Sequence, residues 1–317
     1  MIRIATRNSA LAKTQAGQVA ALLGGGELVE VVSDGEVGDK ARFVRGVERA
    51  LLAGEADIGV HSAKDLPGEM AEGLTIVAVP VREDPADVWI AARGGSAAGA
   101  SSSSESAGAQ QAGGFDGVPE GARVGTASLR RRAQLLAVRP DLEVSELHGN
   151  VDTRLRKLAA GEHDAIVLAA AGLRRLGRAD EVSFSIPAEV MTPAAGQGAL
   201  VLQAREDDAA ALEAAAEIGD ETALRELTAE RAVVGLLEAT CATPIGVHAR
   251  IGDSPSGENG RAESLVVESF VGLPDGSEWI RDRVEGDAAE PAAAGALLAE
   301  RLLSAGARDI LDRAEAL

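Results

Sequence analysis

The chain contains a single cysteine, Cys241, within residues 236–246. A lone thiol cannot form an intrachain disulfide, and without partner cysteines it cannot build a thiolate zinc site. Two interpretations of this residue remain open. It is a small buried apolar group at the end of a helix, or it is a nucleophile or a point of covalent attachment, because a thiolate is the best soft nucleophile available in proteins.

A second group of residues suited to chemistry is a set of arginines in the middle of the chain. Arginine binds carboxylates through two parallel hydrogen bonds and remains charged. Arg130 and Arg131 open a predicted helix, where positive charge is unfavourable unless an anion is bound. We therefore expect an anionic ligand between them. The set comprises Arg130, Arg131, Arg132, Arg154, Arg156, Arg174 and Arg175.

The overall composition limits the possible partners. The net charge of −19 argues against a nucleic acid ligand, which needs a positive surface. No run of about 18 apolar residues is present, so we expect no membrane span. Residues 1–7 enter a strand-like pattern without the apolar core of a signal peptide, which predicts a cytoplasmic protein. No metal site is expected.

Strand and helix patterns alternate through the first two thirds of the chain, which favours parallel α/β sheets. In such folds ligands bind at the carboxyl ends of the strands. Four polar loops lie at these positions and predict two similar lobes that face one cleft, although no internal repeat is evident in the sequence. The loops are Thr6–Ser9, His61–Asp65, Thr126–Arg131 and Gly149–Arg154.

Two other regions differ in composition or pattern. Residues 94–117 are rich in Ser, Ala, Gly and Gln, which predicts a disordered surface loop within the second lobe. From about Glu221 the pattern changes to a helix, short strands and two further helices, which indicates a separate α+β domain. Cys241 lies near the entrance of that domain.

Five segments in order, including the loop around Cys241, resemble the porphobilinogen deaminase (hydroxymethylbilane synthase) family over essentially the whole chain. The resemblance implies two α/β lobes of the type II periplasmic-binding-protein class around a cleft, plus a smaller C-terminal α+β domain. The corresponding domains are residues 1–82 with 197–216, residues 83–196, and residues 217–317. The matching segments are Arg3–Ser9, Ala56–Pro67, Gly125–Arg131, Gly149–Leu155 and Cys241–Gly246.

The resemblance also implies the chemistry. The family condenses four porphobilinogen molecules head to tail with loss of ammonia, giving 1-hydroxymethylbilane for tetrapyrrole biosynthesis. Its cofactor, dipyrromethane, is held by a thioether to the cysteine that matches Cys241. Asp65 would be the catalytic carboxylate that stabilises the azafulvenium cation and transfers protons. We expect a cytoplasmic monomer, with the product passing to uroporphyrinogen-III synthase as a possible next step.

The remaining site residues follow from the same matches, as ligands for cofactor and substrate. Lys64 would bind a cofactor carboxylate, and the residues at Gly196–Gly198 match a hinge segment. Phe43 matches an aromatic position over the cofactor, but its spacing with Val47 equally fits a core face. The other predicted binding residues are Arg7, Ser9, Thr126, Ser128, Arg130, Arg131, Asn150, Arg154 and Arg175.

Three positions depart from the family pattern. His148 stands where arginine is common, and an imidazole would be a weaker, pH-dependent anion donor. Residues 33–40, which match a mobile lid, are shorter than usual and carry Glu36 where a basic residue is expected. Ala239 and Thr240 precede Cys241 where glycines are common. His61 is assigned no role.

Two other functions compete with this assignment. A non-catalytic anion-binding protein would also have two α/β lobes around a cleft, but it has no need of Cys241. A cysteine hydrolase would need a histidine near the thiol, and only His248 is close in sequence, on a strand that resembles a domain core. Neither function accounts for Asp65 and Cys241 together.

Overall fold

The computed structural model describes residues 1–32, 42–67, 70–92, 112–240, 243–252 and 263–316, with the side chains of 42, 43, 112 and 113 excepted. Its strands form two five-stranded sheets and one three-stranded sheet, and helices pack on all three. This confirms the predicted class of two α/β lobes with a smaller α+β unit. The lid residues 33–40 and Cys241 lie outside the described residues.

The first sheet combines strands from both ends of the first two thirds of the chain. Its elements are β1 (Arg3–Arg7), β2 (Glu27–Val31), β3 (Ile58–Ser62), β4 (Leu74–Ala78), β10 (Leu200–Arg205), α1 (Ala10–Leu22), α2 (Arg42–Leu52) and α6 (Ala209–Ala216). The strand order is β2-β1-β3-β10-β4. The central strands are buried, and Ile4, Ile58 and Leu202 lie in the core that they share with the neighbouring helices. Strands covered on both faces tend to have continuous apolar sequences, and the first three residues of β10, Leu-Val-Leu, show this pattern.

The second sheet repeats this arrangement with other strands. Its elements are β5 (Asp87–Ala91), β6 (Arg123–Gly125), β7 (Glu143–Ser145), β8 (Ala165–Ala169), β9 (Phe184–Ile186), α3 (Leu129–Val138), α4 (Val151–Ala159) and α5 (Ala170–Arg175). The strand order is β7-β6-β8-β5-β9. The two faces of the sheet are covered by separate apolar clusters, one around Trp89 and one around Leu173.

The prediction of parallel sheets holds for only part of each sheet, because both sheets also contain antiparallel pairs. Strand β10 is antiparallel to β3 and β4, and β5 is antiparallel to β8 and β9. Each of these two strands follows a strand of the other sheet in the chain. It therefore does not enter through a helical crossover within its own sheet, the connection that parallel neighbours require.

The two sheets also share a repeated ion pair, which we call the strand-end clasp. Arg3 donates from its backbone N to Asp57 Oδ2 at 2.8 Å and from NH2 to Asp57 Oδ1 at 2.5 Å. Arg123 does the same with Asp164, at 2.9 and 2.7 Å. In each clasp the arginine begins a central strand, and the aspartate immediately precedes the parallel neighbour of that strand. The two lobes therefore repeat the same arrangement of strands, as the prediction of two similar lobes requires, although the repeat is not evident in the sequence.

The prediction of a disordered loop at residues 94–117 is wrong at its C-terminal end. Residues Ala112–Gly117 form a 3₁₀ helix, and Phe115 is buried. Its ring lies 5.4 Å from Trp89 and 5.5 Å from Phe184, edge-on to both. One aromatic anchor offsets the ordering entropy that the surrounding small residues cannot. Residues 93–111 lie outside the described residues.

The third unit is a three-stranded antiparallel sheet covered by helices. Its elements are α7 (Glu221–Leu236), β11 (Ile245–Gly252), β12 (Ser264–Gly272), β13 (Trp279–Asp287), α8 (Pro291–Ser304) and α9 (Ala307–Glu315). Ala-rich α8 packs against α7, and Gly295 permits this because a Cβ there would lie 2.2 Å from the carbonyl oxygen of Ala229. Leu298 and Leu302 fill the core beneath them.

One buried carboxylate, that of Glu230 in α7, joins all three units. It accepts hydrogen bonds from the backbone N of Gly196 at 2.6 Å and of Ala249 at 2.8 Å. Arg82, on the segment that leaves the first sheet, lies 2.9 Å from it and also donates to the carbonyl of Gln197 at 3.0 Å. Burial alone would raise the pKa of Glu230, but Arg82 and His248 lower it below its usual value.

Replacing Glu230 with glutamine should strongly destabilise the protein, because it leaves Arg82 buried without its full charge partner. Breaking such a pair costs about 3–5 kcal/mol. The pKa of this carboxyl is lowered by folding, so its contribution is present at neutral pH and is lost as the pH falls. Denaturant unfolding at pH 7 measures the loss of unfolding free energy. The difference in that free energy between the variant and wild type should become smaller below about pH 4.

Glu221→Gln is the matched control on the same helix. Glu221 pairs with Arg225 at the surface, and loss of an exposed pair costs no more than about 1 kcal/mol. Equal effects of the two substitutions would show that the Glu230 junction has no special importance.

Candidate active site

The predicted polar residues lie where the strands of the first two sheets end and helices begin. Ser9 and Ser128 are the N-caps of α1 and α3, and their hydroxyl oxygens accept from Ala12 N at 3.3 Å and Arg131 N at 3.4 Å. Asn150 caps α4 in the same way, accepting from Thr153 N at 2.9 Å. The hydroxyl oxygens of Ser9 and Ser128 already accept these bonds. Their hydroxyl protons can therefore be donated to a ligand.

Thr126 is a buried member of the same set. Its Oγ1 accepts from the backbone N of Ser128 at 3.2 Å, and its own backbone N donates to Ser145 O at 2.9 Å. These bonds fix the turn between β6 and α3. Thr126 and Ser128 therefore stabilise that turn independently of any contact with a ligand.

Asp65 closes a short 3₁₀ turn after β3, at the carboxyl end of the first sheet. Its Oδ2 lies 3.6 Å from NH2 of Arg7, the last residue of β1. Both side chains are partly exposed. The structure thus places a carboxylate and a guanidinium side by side at adjacent strand ends, where parallel α/β sheets present their ligand-binding residues.

Lys64, next to Asp65, points towards the second sheet. Its Nζ donates to Oε1 of Gln197 at 3.4 Å. Burial lowers the pKa of Lys64 to about 8, and the nearby positive charge of Arg131 contributes to the same shift. The ammonium group is therefore mostly charged at neutral pH, but it loses its proton more easily than a surface lysine.

Arg130 and Arg131 are buried and already paired with a carboxylate of the protein. Arg130 NH1 donates to Asp87 Oδ2 at 2.7 Å, and Arg131 Nε donates to Asp87 Oδ1 at 2.9 Å. They also donate to the carbonyls of Thr192 and Val167. The inference that an external anion must lie between them is therefore wrong, because Asp87 occupies that position. Whether they also contact a ligand stays a prediction.

Sequence reasoning missed Asp87 and the connecting role of Gln197. The Gln197 side chain is buried between the sheets, where Nε2 donates to Asp87 Oδ1 at 3.0 Å and to Pro85 O at 2.6 Å. One signal was available: Asp87 is a lone charge at the head of an apolar strand. A charge in that position needs a buried partner.

Arg154 and Arg175 differ from the buried pair, because neither has a carboxylate within ion-pair distance in the described part of the chain. Arg154 Nε donates to Gly149 O at 2.8 Å, and Arg175 NH2 donates to Gly198 O at 2.7 Å. Burial lowers the pKa of Arg154 to about 10, and Arg131 adds to the effect. These two cations are the best placed to bind carboxylates of a ligand.

Other predicted positions lie outside this group. His148 is exposed on its loop, where Nε2 lies 2.8 Å from Glu146 Oε2. His61 is buried against Gln203 at 3.0 Å, and burial lowers its pKa to about 4, so it is neutral at physiological pH. The side chain of Phe43 and the whole of Cys241 lie outside the described residues.

The residues on the two sides of Cys241 are hydrogen-bonded to each other. Thr240 N donates to Thr243 Oγ1 at 2.8 Å, and Thr243 N donates back to Thr240 O at 3.1 Å. Glu238, two residues after the end of α7, has a left-handed backbone with φ of 51°. The chain therefore leaves α7 through a sharp turn, and hydrogen bonds fix the residues on both sides of the cysteine.

The donor set suits a small ligand with several carboxylates. Arg7, Lys64, Arg154 and Arg175 surround the ends of the strands, and two of them have no acidic partner among the described residues. Arginine and lysine are the natural partners of carboxylates. Within the described ranges, no cluster suits a metal ion and no helix is long and apolar enough to cross a membrane.

Comparison with known proteins identifies the family. The model of the porphobilinogen deaminase dipyromethane cofactor binding domain matches residues 2–213, and that of the C-terminal domain matches residues 224–304. The porphobilinogen deaminase of Syntrophus aciditrophicus is 41% identical over 99% of both chains. That of Brevibacillus brevis is 38% identical over 98% of this chain and 96% of its own length.

Among solved structures, the VFT2 domain of BvgS from Bordetella pertussis aligns with 68% of this chain and 85% of its own, at 13% identity and a TM-score of 0.39. A putative methionine-binding lipoprotein from Bacillus subtilis gives the same TM-score of 0.39 at 12% identity. Similarity this low adds no weight to the assignment. The sequence matches cover nearly the whole chain, and by them the chain belongs to the porphobilinogen deaminase family.

Proposed function

We propose that the chain catalyses the hydroxymethylbilane synthase reaction, the stepwise condensation of four porphobilinogen molecules with loss of ammonia. The observation that supports this best is the match of both family domains along one chain, combined with a carboxylate and several cations at the ends of the same strands. A non-catalytic anion-binding protein would need the cations but not Asp65.

The cations would hold the substrate and the growing chain. Every pyrrole unit adds two carboxylates, so the site must neutralise more charge with each condensation. Arg154 and Arg175 have no carboxylate partner within the described ranges, and they are the residues that we assign to the later units. Lys64 and Arg7, nearer to Asp65, would bind the reacting units. Ser9, Thr126, Ser128 and Asn150 would add neutral contacts.

Asp65 would carry out the proton chemistry. In each cycle the C–N bond of the substrate aminomethyl group breaks, ammonia leaves, and the exocyclic carbon bonds to the free α-carbon of the acceptor pyrrole. That carbon then loses its proton. A carboxylate beside the pyrrole N–H stabilises the positive charge of the intermediate and accepts the proton. Arg7, at 3.6 Å, would hold Asp65 in place.

Dipyrromethane would be held covalently at Cys241 and by ion pairs to Lys64 and the arginines. Its chemical role is to provide the first acceptor pyrrole. The described residues fit it, since they offer cations for its carboxylates and the residues on the two sides of the cysteine, Thr240 and Thr243, are hydrogen-bonded to each other. Phe43 would pack against a pyrrole ring of the cofactor.

The finer assignments are also proposals. The membership of strands in the three sheets supports domains at residues 1–82 with 197–216, 83–196 and 217–317. We propose a cytoplasmic monomer that acts on porphobilinogen alone and releases its product to uroporphyrinogen-III synthase. His148 would replace a common arginine as a weaker anion ligand.

The intact mass of the purified protein tests the cofactor assignment. A covalent dipyrromethane adds roughly the mass of two deaminated porphobilinogen units to the polypeptide. Cys241→Ser should lose nearly all of the adduct and of the activity, because a hydroxyl is far less ionised than a thiol. The same adduct on the serine variant, attached elsewhere, would refute attachment at Cys241.

The Asp65→Asn variant tests the catalytic carboxylate. It preserves shape but removes the charge and the capacity to accept a proton, so turnover should fall on the order of a hundredfold or more. Asp57→Asn is the matched control, since Asp57 pairs with Arg3 at the opposite end of the same two strands. If Asp65→Asn stays within about threefold of wild type, the proton chemistry is done by another group.

Arg154→Leu and Arg175→Leu test the binding of the growing chain. Each leaves a ligand carboxylate unpaired in a partly closed site, which costs about 1–3 kcal/mol. Mass spectrometry after brief exposure to porphobilinogen should show covalent complexes that stall with extra pyrrole units. Arg174→Leu is the control, because Arg174 is exposed and paired with Glu83 and Asp84. If Arg154→Leu and Arg175→Leu gave the same distribution of covalent complexes as Arg174→Leu, the two arginines would have no role in elongation.

A further inference from the structure

We propose that Asp87 is a positioning residue that orients Arg130 and Arg131 and, through the side chain of Gln197, joins them to Lys64 as one unit. We call Lys64, Asp87, Arg130 and Arg131 the cleft charge cluster. The inference rests on the proposed function, since the ligand carboxylates would be those of the pyrrole units.

Hydrogen bonds to both oxygens hold the Asp87 carboxylate in one orientation. The residue is 0% exposed and lies at the start of β5, where it is paired with Ala169 on one side and Ile186 on the other. Its oxygens accept from Arg130 at 2.7 and 3.2 Å and from Gln197 at 3.0 Å. Arg131 donates to it from Nε at 2.9 Å.

These contacts determine which part of each guanidinium a ligand can reach. Arg130 and Arg131 are only 4% and 5% exposed, so one edge of each is committed to Asp87 and to backbone carbonyls. A buried carboxylate bonded to both arginines at once fixes their relative orientation. Without that carboxylate each of the two long side chains could adopt many rotamers, and the two guanidinium groups would not be held towards the same ligand carboxylate.

Gln197 extends the cluster across the two sheets. It lies on the segment that returns from the second sheet to the first, and its Oε1 accepts from Lys64 while its Nε2 donates to Asp87. Arg82 donates to the backbone carbonyl of Gln197 and so holds this segment in place. An amide suits this position because it accepts from a cation and donates to a carboxylate at the same time.

The net charge of the cluster sets how many ligand carboxylates it can neutralise. Three cations and one carboxylate leave a net charge of about +2 while Lys64 is protonated. That matches the acetate and propionate of one pyrrole unit. Burial favours neutral forms throughout, yet the two arginines hold the pKa of Asp87 well below its usual range. Asp87 therefore stays ionised and offsets one of the three cations.

Asp87 also supports the charge on Lys64. The charged groups that act on Lys64 are Arg131 and Arg130, which lower its pKa, and Asp65 and Asp87, which raise it. Removing the charge of Asp87 therefore lowers the pKa of Lys64. Lys64 binds anions only while protonated, so binding is complete at low pH and is lost as the pH rises through that pKa. Without Asp87 the loss begins at lower pH.

The test is Asp87→Asn, made as the holoenzyme, with Asp164→Asn as the control from the strand-end clasp of the same sheet. At pH 7 the Asp87→Asn variant should show KM raised roughly tenfold, the equivalent of about 1.4 kcal/mol, with kcat changed far less. The alkaline decline of kcat/KM should begin about one pH unit lower than in wild type. Asp164→Asn should show neither change.

A second readout needs no substrate. The pH dependence of Lys64 acetylation, followed by peptide mass spectrometry, reports its protonation directly, and its inflection should move to lower pH in Asp87→Asn only. An inflection and a KM equal to those of wild type would overturn the proposal. A wild-type protein that makes no hydroxymethylbilane would instead refute the proposed function, while the acetylation profile would still test the cluster.

A third variant decides the matter if Asp87→Asn does not fold. Gln197→Met keeps every charge and nearly the same volume but removes the bridge between Lys64 and Asp87. We expect faster acetylation of Lys64 and a raised KM, both measured well below the melting temperature, because the variant also loses the hydrogen bond to Pro85 O and is less stable. Unchanged acetylation and unchanged KM would show that the two sheets are not coupled through this amide.

Discussion

The interaction on which the arrangement of the three units depends is the buried pair of Arg82 and Glu230. Arg82 comes from the segment leaving the first sheet, Glu230 from the first helix of the third unit, and both hold the segment that returns from the second sheet. A carboxylate away from water is stable only when its hydrogen-bonding capacity is filled. Any rearrangement of the units must therefore keep this junction intact or provide it with new partners.

The site is a local positive region on a strongly acidic protein. The whole chain has a net charge of −19, whereas the cations at the strand ends are partly buried, and Arg154 and Arg175 lack acidic neighbours within the described ranges. Low-dielectric walls strengthen the field inside such a cleft. An anionic substrate is thus repelled by most of the molecule and attracted at one place.

Much of the fold could be predicted from local patterns. The alternation of strands and helices in the first two thirds of the chain and the helix beginning at Glu221 are found as predicted, because apolar period and capping residues are encoded locally. The mixed direction of both sheets was missed. Pairing direction depends on where the chain crosses between the units, which no short window of sequence contains.

The same distinction applies to the candidate site. Motif matches located Asp65, Lys64 and the arginines at strand ends, but they could not show that Asp87 already occupies the space between Arg130 and Arg131. The partner is 43 residues away in the chain, and it looks like an ordinary strand residue. Phe115 illustrates the converse, since one buried ring orders a segment whose composition suggests disorder.

The strand-end clasp has a consequence for how the two lobes can diverge. Arg3–Asp57 and Arg123–Asp164 tie equivalent strands at the end of each sheet remote from the cleft. Counting the same distance from the two aspartates, Lys64 and Asp65 in the first lobe correspond to Ala171 and Gly172 in the second. In each lobe the end with the ion pair is constrained, whereas the residues at the cleft end can vary. The first lobe therefore presents Lys64 and Asp65 there, and the second presents the small residues Ala171 and Gly172.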